Sequence, residues 1–393
     1  MAPTSEGGIL HNMGNSYDIW LSCSVSSVAR IDALLQTFHT SEAVFYAKES
    51  EIRSIGALTE TDLYFLTSRD KEENRRRQYD YVLKHDIRMI CRGEKDYPAR
   101  FSCLSDAPYG IFLEGRLPPQ DAPSIAIVGS RSPSVYGTNV AALFSGKLAA
   151  AGVYVISGLA MGIDGISHIN ALPYEGRTLG ILGSGIGVPY PKENWQLYQI
   201  MRENAGILSE YGPEVPPRKQ NFPHRNRLIS AMADGVLVVE AAERSGTLIT
   251  VDRGLEQGKE IYVIPGRIGD RNSVGCLNLL RQGARLVTSP EEILDDLAAF
   301  YPSLWKNASR FQQLSMNFPN PSDIPDKNSE NINLGIAPRE KVVYDLCRLD
   351  AKHFDVLLSE SGMGVAELAE TLNSLEQKGI IRQVIPNHYS LRV

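Results

Sequence analysis

The sequence predicts an α/β fold: an extended Rossmann-like domain on a parallel sheet, with a small helical N-terminal module and a C-terminal winged-helix module. Three observations carry this expectation. Between Ser124 and Ser289 short apolar, β-branched runs alternate with glycines and helical patterns. The residues before them repeat apolar positions at helix spacing. The last stretch reads as three helices and a hairpin.

Met1 to Asn15 is polar and holds Gly7, Gly8 and Gly14, the composition of a flexible tail. From Tyr17 to about Leu83, Ile31, Leu34, Leu35 and Phe38 recur at helical spacing, and Ala43, Val44, Tyr46 and Ala47 follow Ser41 as a candidate cap. Ile55-Gly56-Ala57-Leu58 separates two helical patterns, as in a SAM-like or helix-hairpin-helix module spanning 1–85. The charged run Arg69 to Arg77 suits a solvated helix face.

The apolar runs are Ile125–Val128, Val153–Ile156, Thr178–Leu182, Val236–Val239 and Ile261–Ile264. Runs without polar alternation belong to strands covered on both faces, hence to a mainly parallel sheet with crossover helices, the doubly wound architecture assigned to 86–300. A segment rich in Asn, Ser, Pro and Asp marks a linker at 301–338. Residues 339–393 then read as helices Glu340–Arg348, Lys352–Glu360 and Val365–Lys378 with a hairpin Ile380–Leu391, the winged-helix order.

At 393 residues the chain is long enough for two or three domains. An apolar fraction of 43% and a charged fraction of 22% are those of a globular protein. The net charge of −6 gives no global attraction to nucleic acid, so any DNA site must be a local basic patch. Five cysteines without a CxxC pair encode neither a disulfide framework nor a zinc site, and a reducing cytoplasm fits them. With no apolar stretch of roughly 18 residues, membrane insertion is not expected.

The chemistry gathers at turns that follow strands. Ile127-Val128-Gly129-Ser130-Arg131, with Tyr136-Gly137 opening a helix, has the elements of a phosphate cradle: a glycine for close approach, helix N–H groups and a guanidinium fork. The bland reading is a tight turn with a surface arginine. Ser157-Gly158 through Gly162 to Asp164 can aim successive N–H groups one way as an anion nest, with Asp164 capping the helix. Asp164 and His168 could pair as acid and base, but no nucleophile or metal ligand completes a catalytic set, so a cap and a packed histidine fit better.

Gly183-Ser-Gly-Ile-Gly187 is half a dinucleotide fingerprint, yet Val188-Pro-Tyr-Pro191 stands where a helix should start. The chain has no GxxxxGK[ST], HExxH or GxSxG. The densest signal is Gln220-Asn221-Phe222-Pro223-His224-Arg225-Asn226-Arg227, an aromatic among arginines and asparagines, which suits a ligand with a π face and a negative backbone. Against it stands a buried Phe222 with structural arginine ion pairs. Ser245-Gly246-Thr247 adds another anion-friendly helix start. Convergence of several such turns points to a polyanion or nucleotide.

The blocks IVGSR (127–131), SGLAMGID (157–164), SHINAL (167–172), NFPHRNRLIS (221–230), SGTLIT (245–250) and VIPG (263–266) stand in the order of the DNA-processing protein A family (DprA, also called Smf), which the chain closely resembles over most of Ser124 to Leu294. The resemblance implies a homodimer that binds single-stranded DNA without catalysis, metal or cofactor, and loads the RecA recombinase during natural transformation. Carried over residue by residue, it implies that Arg131 grips a phosphate, as does Arg225 or Arg227, that Phe222 or a neighbour meets a base, and that Gly129, Ser130, Ser157, Gly158, Gly162, Asn221, Asn226, Ser245, Gly246 and Thr247 line the site. Dimer contacts are placed around Leu277 to Leu286, with Leu277, Leu279 and Leu280 as candidates. Gly187 stands where the family commonly has an acidic residue, and Leu277 where asparagine is expected.

Two other functions compete. A nucleotide sensor or nucleoside-phosphate N-glycosidase would need a carboxylate facing the cleft, for which Glu240 is the candidate, although the PGGxGT run of such glycosidases is missing. A duplex-DNA reader would use the C-terminal unit. From Ile336 onward that unit holds seven Lys and Arg against eight Asp and Glu, a poor balance for an anionic groove.

Overall fold

Six helices open the described chain: α1 (Ser16–Ser24), α2 (Val28–Phe38), α3 (Ser41–Tyr46), α4 (Glu49–Arg53), α5 (Glu60–Thr67) and α6 (Lys71–Lys84). The computed structural model describes residues 15–302, 304, 337–347 and 351–391. Side chains satisfy the free N–H groups at several helix starts. Asn15 accepts from Tyr17, Thr40 accepts from Ala43, and Thr59 and Asp62 bond each other's backbone N–H in a capping box. The cap of α3 is therefore Thr40; Ser41, expected in that role, is already helical and buried.

Trp20, Leu34, Phe45 and Leu66 form the core of this module. On its other side Ile19 and Val82 pack with Met89 and Phe112 of the first two strands, so helices and sheet share a core there.

The sheet is built from β1 (Arg88–Cys91), β2 (Gly110–Gly115), β3 (Ser124–Val128), β4 (Tyr154–Ser157), β5 (Thr178–Ile181), β6 (Gly206–Ser209), β7 (Gly235–Val238), β8 (Glu260–Val263) and β9 (Arg285–Leu286). Between them run α7 (Val135–Ala150), α8 (Ile163–Ala171), α9 (Trp195–Asn204), α10 (Asn221–Ala231), α11 (Gly246–Glu256) and α12 (Val274–Arg281), with α13 (Pro290–Ala298) after the last strand. The order is β1-β2-β6-β5-β4-β3-β7-β8-β9. β3 to β9 are parallel, and β1 and β2 add an antiparallel edge. All five apolar runs read from the sequence are strands of this sheet. Apolar layers cover both faces: Val128, Ile156, Leu228 and Val238 on one, Ile127, Phe144, Val155 and Ile293 on the other. That double covering is why the runs lack alternation.

The topology fixes where a ligand can sit. From β3 the chain steps through β4 and β5 to β6, then returns to the other side of β3 as β7. At such a reversal the loops after neighbouring strands diverge and leave a crevice beyond their carboxyl ends.

The C-terminal residues form α14 (Pro338–Leu346), β10 (Lys352–His353), α15 (Phe354–Ser361), α16 (Val365–Gln377), β11 (Ile381–Ile385) and β12 (His388–Leu391). Val343, Leu357, Leu368, Leu375 and Ile381 make their core, beside a small sheet ordered β10-β12-β11. Lys352 and His353, expected as a helix start, form the short strand β10 instead. Most of the expected linker 301–338, and the expected tail before Asn15, lie outside the described residues. Among the described residues no helix is long and apolar enough to cross a membrane.

Candidate functional site

The turns after β3, β4 and β7 meet at the carboxyl edge of the sheet, and the helices α7, α8 and α11 start there. The Gly129 carbonyl accepts from the Thr247 hydroxyl at 3.0 Å, which ties the β3 turn to the start of α11. Ser130 accepts at its carbonyl from Ile163 N–H at 3.1 Å, tying the same turn to α8. Ser245 caps α11 by accepting from Thr247 N–H. The turn glycines serve this close fit. Gly162 has φ of +76°, and a Cβ there would lie 2.3 Å from the Ser130 carbonyl oxygen. At Gly158 a Cβ would meet Arg225 and Asp164. Gly246 is exposed and has open space, so packing does not require glycine there.

The three expected arginines part company. Arg131 is exposed, makes no ion pair among the described residues, and its guanidinium lies 6.0 Å from the ring centroid of half-buried Phe222. Arg225 and Arg227, in contrast, are turned inward. Arg225 is 4% exposed and donates to the carbonyls of Gly158, at 3.0 Å, and Ile181. Burial pulls its pKa down to about 10, although the nearby Asp164 carboxylate opposes that. Arg227 is 3% exposed, donating to Glu210 at 2.8 and 3.0 Å and to Asp106 at 2.8 Å. Burial favours its neutral form, but these two carboxylates outweigh burial and hold its pKa above the ordinary value.

Helix geometry explains the difference: residues two apart on α10 point to opposite sides, and both sides are packed. The pair cannot grip neighbouring phosphates side by side. Among the described residues, the exposed cations near this edge include Arg131, Arg218 and Lys219 just before α10, and Arg244 just before α11. The last three stand within a few residues of a helix start, a signal the sequence reading passed over.

Other expected site residues are structural. Ser157 is fully buried and its hydroxyl donates to Ile127 O at 2.7 Å, joining β4 to β3. Asp164 does not cap α8, whose N-cap is Gly162. It accepts from Gly158 N–H at 3.1 Å, and burial raises its pKa while Arg225 opposes. His168 is fully buried, its Nδ1 2.6 Å from the Thr178 hydroxyl, and burial lowers its pKa to about 3. It is the packed, neutral histidine of the bland reading.

Asn226 donates to Gly246 O at 3.5 Å and accepts from Arg225 Nε, linking α10 to α11. Asn221 is 7% exposed, and its side-chain nitrogen is a buried donor without a partner among the described residues. Such a donor normally costs about 1–3 kcal/mol.

Glu240 follows β7 and accepts from the N–H of Ser134 at 2.9 Å, from the Ser134 hydroxyl and from Asn272 Nδ2 at 3.3 Å. An internal carboxylate thus occupies the start of α7, and a Cβ on Gly137 would strike it. Leu279, expected at a dimer surface, lies in the core with Val263 and Cys276, while Leu277 and Leu280 are half-buried.

The family profile described as "DNA recombination-mediator protein A" matches residues 88–298, just over half of the chain. Among named relatives, "Protein Smf" of Escherichia coli is 44% identical over 210 residues, 53% of this chain and 56% of that protein. "DNA processing protein DprA" of Bacillus subtilis is 39% identical over 54% of this chain and 71% of its own. Its Streptococcus pneumoniae namesake is 42% identical over 50% and 70%. The alignment thus spans little more than half of the Escherichia coli relative. An X-ray structure of DNA processing protein A from Streptococcus pneumoniae superposes with a TM-score of 0.60 and 33% identity, covering 72% of this chain and 98% of that one.

Proposed function

The chain belongs to the DNA recombination-mediator protein A family, and from that premise we propose that it is a non-catalytic, cytoplasmic homodimer that binds single-stranded DNA and presents it to the RecA recombinase during natural transformation. The observation that carries the DNA reading is the exposed Arg131 guanidinium beside the half-buried Phe222 ring, on the edge where α8, α10 and α11 begin. A cation and an aromatic at converging helix N-termini suit a ligand with phosphates and unstacked bases. Arg218, Lys219 and Arg244 extend the phosphate track and take the place of Arg225 and Arg227. An N-glycosidase would need Glu240 free to face a substrate; here that carboxylate is bonded to Ser134 and Asn272.

Arg131→Ala is expected to weaken binding to all single-stranded sequences alike and to lower the slope of log affinity against log salt by roughly 0.7, the contribution of one released counterion. Titrations at several salt concentrations check this. An unchanged slope and affinity removes Arg131 from the site. For the dimer, Leu277→Glu at the half-buried position is expected to yield a folded monomer, checked by light scattering and circular dichroism. A folded dimer of unchanged mass excludes Leu277 from the interface. Leu279→Glu cannot serve, because it places a carboxylate in the core.

A further inference from the structure

We propose that Tyr190 is a second base-stacking residue, so that the site holds two neighbouring bases of one strand, one against Tyr190 and one against Phe222; this rests on the single-stranded DNA reading. Tyr190 lies on the loop after β5, outside every block that carries the family resemblance. The residue is 43% exposed, more than half-buried Phe222, and the two ring centroids are 5.4 Å apart with planes inclined by 46°. A base inserted between two rings needs about 7 Å, twice the contact distance of carbon atoms. The gap is too narrow, so each ring must offer an outer face to its own base.

The loop is fixed in place. Ser184 Oγ donates to Val188 O at 2.8 Å, and Gly187 N–H donates to Pro213 O at 2.9 Å. A few residues on, Asn194 Nδ2 donates to the carbonyls of Leu159 and Ala160 at 2.9 and 3.0 Å, locking the segment to the turn after β4. The Tyr190 hydroxyl makes no hydrogen bond among the described residues, so nothing polar holds the ring in its exposed position. What it presents is an exposed π face on the same edge as Arg131, whose guanidinium lies 6.0 Å from the Phe222 ring centroid. Stacking of this kind is indifferent to base identity, as a general single-strand binder requires.

The test is fluorescence anisotropy of the full chain with a labelled oligothymidylate. Tyr190→Ala is expected to lose about 5- to 20-fold in affinity with an unchanged salt slope, and Tyr190→Phe to stay within about 2-fold of the parent. In the unmutated protein, a 5-iodouracil oligonucleotide is expected to photo-crosslink at Tyr190, located by mass spectrometry; this arm decides the matter even where Tyr190→Ala fails to fold. Parent-like affinity of folded Tyr190→Ala alongside a weakened Phe222→Ala, or crosslinks that spare Tyr190, overturns the Tyr190 role and leaves the DNA site standing. No preference of the parent protein for single strands over duplex overturns both.

Discussion

Arg225→Met is expected to destabilise the fold by about 3–5 kcal/mol at neutral pH, because each of two buried carbonyls left without its donor costs about 1–3 kcal/mol. Methionine nearly fills the volume but cannot donate. The Gly158 and Ile181 carbonyls lose their partner, and the Asp164 carboxylate, 8% exposed, loses the positive charge that opposes the rise of its pKa. At roughly 2–4 °C per kcal/mol for a domain of about 150–250 residues, the sheet domain's melting should fall by about 6–20 °C.

The pH dependence carries the distinguishing sign. Burial already raises the Asp164 pKa above the ordinary aspartate value, and loss of Arg225 raises it further. A carboxyl with a raised folded pKa contributes stability that is complete below the unfolded pKa and is lost as pH rises through the folded one. The deficit of the variant should therefore be largest at pH 7 and shrink toward pH 5. Adding Asp164→Asn should recover part of it at pH 7 and abolish the pH dependence. Thermal melts of the parent, Arg225→Met and the double variant at both pH values check this. A loss below about 1 kcal/mol, or one that does not change with pH, means that Arg225 is solvated and available to a ligand after all.

That inward arginine also marks where the sequence stops being legible. The strands β3, β4, β5, β7 and β8 could be read because burial on both faces leaves continuous β-branched runs, a pattern independent of what packs on them. The antiparallel edge strand β1 mixes Arg88 with Met89 and Cys91, and β6 is only Gly206–Ser209 directly after a helix, so neither carries a comparable signal. The glycine turns were legible because each follows a strand. The direction of a side chain on α10 was not, since it depends on Asp106 and Glu210, which are distant in sequence and arrive only through the topology. Leu279 failed for a related reason: three leucines on one short helix suit a dimer face or a core equally until the sheet behind them is known. Tyr190 went unread because its partner Phe222 is brought to it by the crevice, not by spacing.

Phe222→Ala is expected to weaken single-strand binding by about 5- to 150-fold, the roughly 1–3 kcal/mol of one base stacked on an aromatic ring, with almost no effect on duplex binding. The duplex control follows from chemistry: paired bases keep their faces inside the helix, so only a strand with exposed bases can use the ring. The competing account is that Phe222 is a core residue. It touches Gly183, where a Cβ would come within 2.8 Å of the ring, and Tyr190 lies beside it. A fully buried phenylalanine costs about 3–5 kcal/mol on truncation to alanine. Phe222 is only half-buried and neighbours two guanidinium groups at 6.0 Å, so its stability loss should fall clearly below that range while the affinity loss remains. Melting and anisotropy on one preparation separate the two. A large drop in melting with affinity per folded molecule unchanged assigns the ring to packing, and the phosphate contacts of Arg131 and its neighbouring cations must then carry the site alone. A small drop in melting with selective loss of single-strand affinity assigns it to the bases.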